Sequence, residues 1–339
     1  MSRPPLGTGP PNVPVVPLRE LSPEVALSRL ELSVGRRIDG LLSGDHPGFG
    51  LGPGSELAEA RLYQRGQDDV RRIDWNVTAR TGEVHVRDLV ADRELTTWAL
   101  VDATASMDFG TALMEKRDLA AAVTIALAYV TNRGADQFGV HLLTTDGVLS
   151  WPHRSGRTHR LMMLRGLAEA PRKGYGDPPG LATGVESLAR HRRRGLRFVV
   201  SDLLDPQRDE WARALHGLAL AHRVIVVEVI DPRELDLPDI GVVTFLDPET
   251  GSTHDVDTSS RKVRRRFAAA AREERAANAA AVRGAGAEHL VVSTGDDWLR
   301  ALVRFVVGAR HPSPGGGARR AAAAGRPSLA LVPPPEASR

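Results

Sequence analysis

Apolar residues fall along this chain in two rhythms. Segments 97–102, 137–143, 197–202, 222–229 and 288–293 are continuous apolar runs bounded by polar or turn-forming residues. Such runs are expected of strands buried on both faces. Between them, segments 113–131, 158–169, 180–193, 207–220, 258–283 and 296–308 repeat their apolar positions every three or four residues, the helical spacing. The alternation predicts an α/β fold with a mostly parallel, doubly wound sheet and helices on both faces. Two hairpins interrupt it: 142–151, turning at Asp146-Gly147, and 242–256, turning at Pro248-Glu249-Thr250-Gly251.

The part ahead of residue 97 reads differently. A helix is expected from Ser22-Pro23-Glu24, with Ser22 as N-cap and Pro23 at the first position. Leu27, Leu30, Val34, Ile38 and Leu41 give it one apolar face. A Gly/Pro loop at 47–54, a dense polar block at 59–80 and a strand at 83–89 follow. The organisation expected is therefore a disordered N-terminus (1–20), an α+β extension (21–96), the α/β domain (97–309) and a disordered tail (310–339). Leu329-Ala330-Leu331-Val332 is a short apolar island in that tail that could serve as a docking peptide.

Composition narrows the chemistry. The 339 residues include no cysteine, which removes disulfides, thiolate zinc sites and cysteine nucleophiles, and fits a cytoplasmic protein. Lys plus Arg number 45 against 42 Asp plus Glu, so the net charge of +3 gives little support to nucleic-acid binding. No run approaches a membrane span, and 1–17 lacks the order of a signal peptide. There is no phosphate-binding Gly-x₄-Gly-Lys-Ser/Thr loop, no His-Glu-x-x-His zinc motif and no nucleophile elbow around residues 97–107. The arginine-rich segment 259–283 reads as a solvated helix face, or as a surface for an acidic partner.

Candidate chemistry centres on Val101-Asp102-Ala103-Thr104-Ala105-Ser106-Met107, directly after an apolar strand. In open α/β sheets, ligands bind at that carboxyl edge. One carboxylate and two hydroxyls form a hard-oxygen set suited to Mg²⁺ or Mn²⁺. The motif resembles the Asp-x-Ser-x-Ser of von Willebrand factor A domains, with Thr104 in place of the first Ser. The resemblance implies a metal-ion-dependent adhesion site of Asp102, Thr104, Ser106 and Asp202, the last closing the run Phe198-Val199-Val200-Ser201-Asp202. Pro179 stands where that family places a threonine ligand, with Asp177 and Thr183 nearby. Without an ion, Asp102 and Ser106 would serve as helix caps. A phosphatase of the haloacid dehalogenase type would need a second acid at position 104.

In the polar block, Arg61-x-Tyr63, Gly66-Gln67-Asp68-Asp69-x-Arg71-Arg72-Ile73-Asp74-Trp75 and Ala79-Arg80 interleave acids and arginines around apolar residues. The block resembles the signature of the domain of unknown function 58 family. The likeness continues through Val86-Arg87, Arg93-Glu94 and the Asp102 motif, while Gln67 lengthens the usual spacing by one residue. Membership implies a link with MoxR-type AAA+ ATPases and a role as adaptor or co-chaperone. Asp68, Asp69, Arg71, Arg72, Asp74 and Arg80 are then either an internal ion-pair network or a partner surface. The function expected is a non-enzymatic interaction module; the alternative is a metal-dependent hydrolase using Asp102 and Asp202.

Overall fold

A computed structural model describes residues 21–41, 60–64, 70, 73–87, 96–112, 114–131, 137–172, 179–246 and 253–308. Both expected disordered ends lie outside that set, as does the 248–251 turn.

Six strands form the central sheet: β3 (Thr96–Asp102), β4 (Gln137–Thr144), β5 (Gly147–Arg154), β6 (Gly195–Ser201), β7 (Arg223–Ile230) and β10 (Glu288–Ser293). Their order is β10-β7-β6-β3-β4-β5. Every neighbouring pair is parallel except β4 with β5, which turns back through the 142–151 hairpin. The alternation of strand and helix read from the sequence is the architecture observed. Side chains leave a strand on alternate faces, so the apolar run of β3 serves two cores. Ala99 and Val101 enter one, Trp98 and Leu100 the other.

The first core is closed by α1 (Pro23–Leu41), α3 (Lys116–Thr131), α4 (Arg157–Ala168) and α8 (Trp298–Gly308). The second is closed by α5 (Leu181–Ala189), α6 (Arg208–Ala221) and α7 (Arg261–Gly284), with Trp211 fully buried at its centre. Helix α1 is part of the first core: Leu27 and Val34 are fully buried. Glu31 on its flank accepts from Arg157 at 3.2 Å and Arg160 at 2.9 Å.

Two helices are shorter than the periodicity suggests, each for a local reason. The expected 113–131 helix begins at Lys116, because its first amide is turned back to the Phe109 carbonyl at 2.8 Å. The expected 180–193 helix stops at Ala189. There the fully buried Arg197 guanidinium draws the carbonyls of His191 and Arg193, each at 2.9 Å, into a loop.

Two small ribbons complete the described residues. β1 (Ala60–Leu62) pairs with β2 (His85–Arg87), joined by α2 (Trp75–Thr81). β8 (Val242–Leu246) pairs with β9 (Thr253–Asp257), as the 242–256 hairpin pattern predicts.

Candidate functional site

Parallel register brings the predicted residues to one place. β3 and β6 lie side by side with Val101 opposite Val200, so Asp102 and Ser201 leave the sheet as neighbours at its carboxyl edge. Asp202 is one residue further on. Beyond β3 the chain enters a short 3-10 turn, Ala105–Asp108, with Thr104 at its N-cap position.

Asp102 organises this turn. One carboxylate oxygen accepts from the Thr104 amide at 2.9 Å and the Thr104 hydroxyl at 2.7 Å. The other accepts from the Ser201 hydroxyl at 2.7 Å. Thr104 Oγ1 and Ser106 Oγ lie 3.3 Å apart. All three hydrogen-bond donors to Asp102 are neutral. Burial, followed by the charge of Asp202, raises the Asp102 pKa to about 6, against the pull of those hydrogen bonds.

Asp202 is also buried, but its charge is answered. One oxygen accepts from the Lys116 ammonium at 2.7 Å, the other from the Leu204 amide at 3.1 Å. Lys116 is fully buried, and its ammonium also donates to Glu234. Burial pulls the Lys116 pKa down, but the charges of Asp202 and Glu234 prevail and hold it above the ordinary lysine value. Glu234 belongs to the turn Pro232–Glu234 after β7, where Asp231 accepts from the Thr111 and Thr294 hydroxyls, both at 2.6 Å. Arg117, next in α3, is committed to Asp108 and the Ala103 carbonyl.

The loop after Asp202 is held in a conformation uncommon for its residue. Leu203 has φ +58°, the left-handed region that disfavours branched side chains. Its amide donates to Ser201 Oγ at 3.1 Å, and its carbonyl accepts from the buried Asn278 of α7 at 3.1 Å. Asp205 then caps α5 by accepting from the Leu181 amide at 2.6 Å. The loop is wired on both sides, while Leu204 stays exposed beside the acids.

Asp102, Thr104 and Ser106 are linked around one turn, and Asp202 follows Ser201, which donates to Asp102. Pro179 precedes α5 and offers no hydroxyl; Thr183 is exposed in the first turn of α5, and Asp177 lies outside the described residues. In the polar block, Asp68, Asp69, Arg71 and Arg72 also lie outside. Asp74 is the N-cap of α2, accepting from the Asn76 amide at 3.0 Å and the Val77 amide at 3.3 Å. Arg80 is exposed in the last turn of that helix. Lys116, Ser201, Glu234 and Asn278 were not among the sequence candidates. One signal did mark Lys116. It is one of three lysines among 45 basic residues, and it opens a helix, the end least suited to a cation.

The donor chemistry fits a hard divalent cation. Two carboxylates and two hydroxyls gather within one turn and one strand end. Asp202 and Glu234 share the single ammonium of Lys116, which leaves one negative charge in excess when both are ionised, close to the buried carboxylate of Asp102.

The mostly parallel six-stranded sheet with helices on both faces gives the fold class: a von Willebrand factor A-like α/β domain. The protein-family model described as "Protein of unknown function DUF58" matches residues 59–277, and the chain belongs to that family. It is 45% identical over 287 residues to "Uncharacterized protein Rv1480" of Mycobacterium tuberculosis, covering 84% of this chain and 89% of that protein. It is 42% identical over 161 residues to "Uncharacterized protein MAV169" of Mycobacterium avium, covering 47% and 94%. Among solved structures, BatB from Bacteroides thetaiotaomicron superposes with TM-score 0.43 at 13% identity, over 64% of this chain and 98% of that one. The SpRpn10 VWA domain superposes with TM-score 0.37 at 12% identity, over 62% and 94%. No helix among the described residues is long and apolar enough to cross a membrane.

Proposed function

We propose that this chain is a non-enzymatic protein-binding module that recognises its partner at the carboxyl edge of the sheet, through a cation held by Asp102, Thr104, Ser106 and Asp202. Mg²⁺ or Mn²⁺ bound there would supply a Lewis-acidic position for a carboxylate of the partner. Family membership supports a MoxR-type AAA+ ATPase as that partner, with the chain as adaptor or co-chaperone. The observation that carries the reading is Asp102 itself, a buried carboxylate at the sheet's carboxyl edge whose hydrogen-bond donors are all neutral. Leaving such a charge buried is costly unless a cation answers it.

The chain's own residues supply the rest. Ser201 and the Thr104 amide fix the Asp102 carboxylate. The Leu203 kink, pinned by Asn278, fixes the direction of Asp202. A rigid site loses little ordering entropy on binding. Isothermal titration of Mg²⁺ and Mn²⁺ tests the reading: a saturable heat in the wild type that is absent in Asp102→Ala is expected. Equal flat traces for both proteins would refute it.

A further inference from the structure

We infer that Lys116 sets the cation affinity of this site by acting as a tethered competitor for Asp202. The inference rests on the cation reading above. Of the two carboxylates in the donor set, Asp102 has only neutral hydrogen-bond donors, whereas Asp202 already holds an ammonium at 2.7 Å. That ammonium cannot be diluted away. It belongs to a fully buried side chain on the first turn of α3, whose amide is anchored to the Phe109 carbonyl at 2.8 Å. Its second acidic partner, Glu234, sits on the turn after β7, and the Glu234 side chain also accepts from the Asp231 amide at 3.2 Å.

Lys116 is therefore clamped between two loops of the carboxyl edge, with Asp202 on one side and Glu234 on the other. A divalent ion that engages Asp202 does so against this resident charge, through both competition for the carboxylate and direct repulsion. Glu234 works in the opposite sense. It takes up part of the Lys116 charge and so leaves Asp202 freer to serve another cation. The two residues act as opposed settings on one carboxylate, and substituting them should move affinity in opposite directions.

Isothermal titration with Mg²⁺ alone, and separately Mn²⁺ alone, on the full chain tests this. Lys116→Met is expected to bind at least tenfold more tightly than wild type, and Glu234→Gln several-fold more weakly. Arg193→Met serves as a control that also removes one positive charge. Arg193 is exposed in the loop ahead of β6, at the opposite edge of the sheet. Seven strand residues place that edge about 20 Å away, more than twice the screening length in physiological salt. It is expected to bind like wild type.

Circular dichroism reports whether each variant is folded. Should Lys116→Met fail to fold, Glu234→Gln decides alone, because the Glu234 side chain is partly exposed and tolerates the change. Binding in the wild type with unchanged affinity in the folded variants would overturn the role of Lys116 and leave the cation site standing. Heat in Lys116→Met without heat in wild type would refute the proposal that the natural chain holds a cation, and this inference falls with it. Flat titrations in every protein would overturn the cation reading and this inference together.

Discussion

At the scale of single residues, buried polar groups decide the behaviour of this protein. Asn278 lies on α7, 1% exposed, and joins two partners: it donates to the Leu203 carbonyl at 3.1 Å and accepts from Arg208 Nε at 2.7 Å. Replacing it with alanine strands a buried carbonyl and releases a left-handed leucine. The expected loss is about 1–3 kcal/mol, read as a shift in urea midpoint at unchanged slope. Histidines supply a pH dependence whose sign is fixed by burial. His141 is pushed down to about 4 by burial first and His191 second, and it sits 2.6 Å from the Ser187 hydroxyl. A depressed histidine favours the folded state above its unfolded pKa near 6.5, and that contribution is lost as pH falls from 6.5 towards 4. His222, also lowered to about 4, and His159 and His191, lowered as well, act in the same sense. Asp102, raised to about 6, acts in the opposite sense, so the histidine contribution is read by difference: between pH 7 and pH 5 the melting temperature is expected to fall more, or rise less, in wild type than in His141→Gln. A steeper fall in that variant would contradict the assignment.

At the scale of elements, α2 sets two magnitudes side by side. Its polar surroundings suggest an ion-pair lattice, in which losing Asp74 would cost roughly 3–5 kcal/mol by stranding buried charge. The structure makes Asp74 the N-cap of a two-turn helix closed by Gly82 at φ 76°. Losing a cap costs about 1 kcal/mol. Asp74→Ala is therefore expected to lower stability by at least the worth of a cap, and chemical denaturation tells a cap alone from a cap that also belongs to a charge network. Other elements were easier to read. β3, β6 and β7 were legible because a strand covered on both faces must be apolar throughout, and α5 and α6 because their buried stripe repeats at the helical period. Asp102 and Asp202 were legible for a related reason: an acid ending an apolar strand has few uses other than chemistry or capping. Lys116 was not, since its partners lie 86 and 118 positions away and no local pattern records them. Asn278 was hidden likewise, as one polar residue within an alanine-rich stretch. The late start of α3 and the early end of α5 depend on the Phe109 carbonyl and on Arg197, which only the folded sheet brings into reach.

At the scale of the whole molecule, α1 shows how far chain order departs from packing order. It begins 73 residues before the strand that opens the sheet, since Pro23 starts one and Thr96 the other. Even so, Ala26, Leu27, Leu30 and Val34 share one core with α3, α4 and α8, each 4% exposed or less. Glu24 also pairs with Arg165 of α4, and Ser28 accepts from Arg157 at 2.8 Å. These polar contacts along the rim are exposed or half-buried and add little, so the apolar stripe carries the attachment. Removing residues 1–41 would uncover the matching faces of α3, α4 and α8, a contiguous apolar surface of the kind that drives association. A chain beginning at residue 42 is therefore expected to melt at lower temperature, to bind the dye ANS and to elute from a sizing column as oligomers. A single substitution makes the same case more gently. Leu27→Ala is expected to cost about 2–5 kcal/mol, a value far above what an appended helix would contribute. Hydrogen exchange locates the effect. If α1 is integral, the amides of α3 beneath it lose protection together with those of α1, whereas loosening confined to α1 would mark it as an accessory to a domain that folds without it.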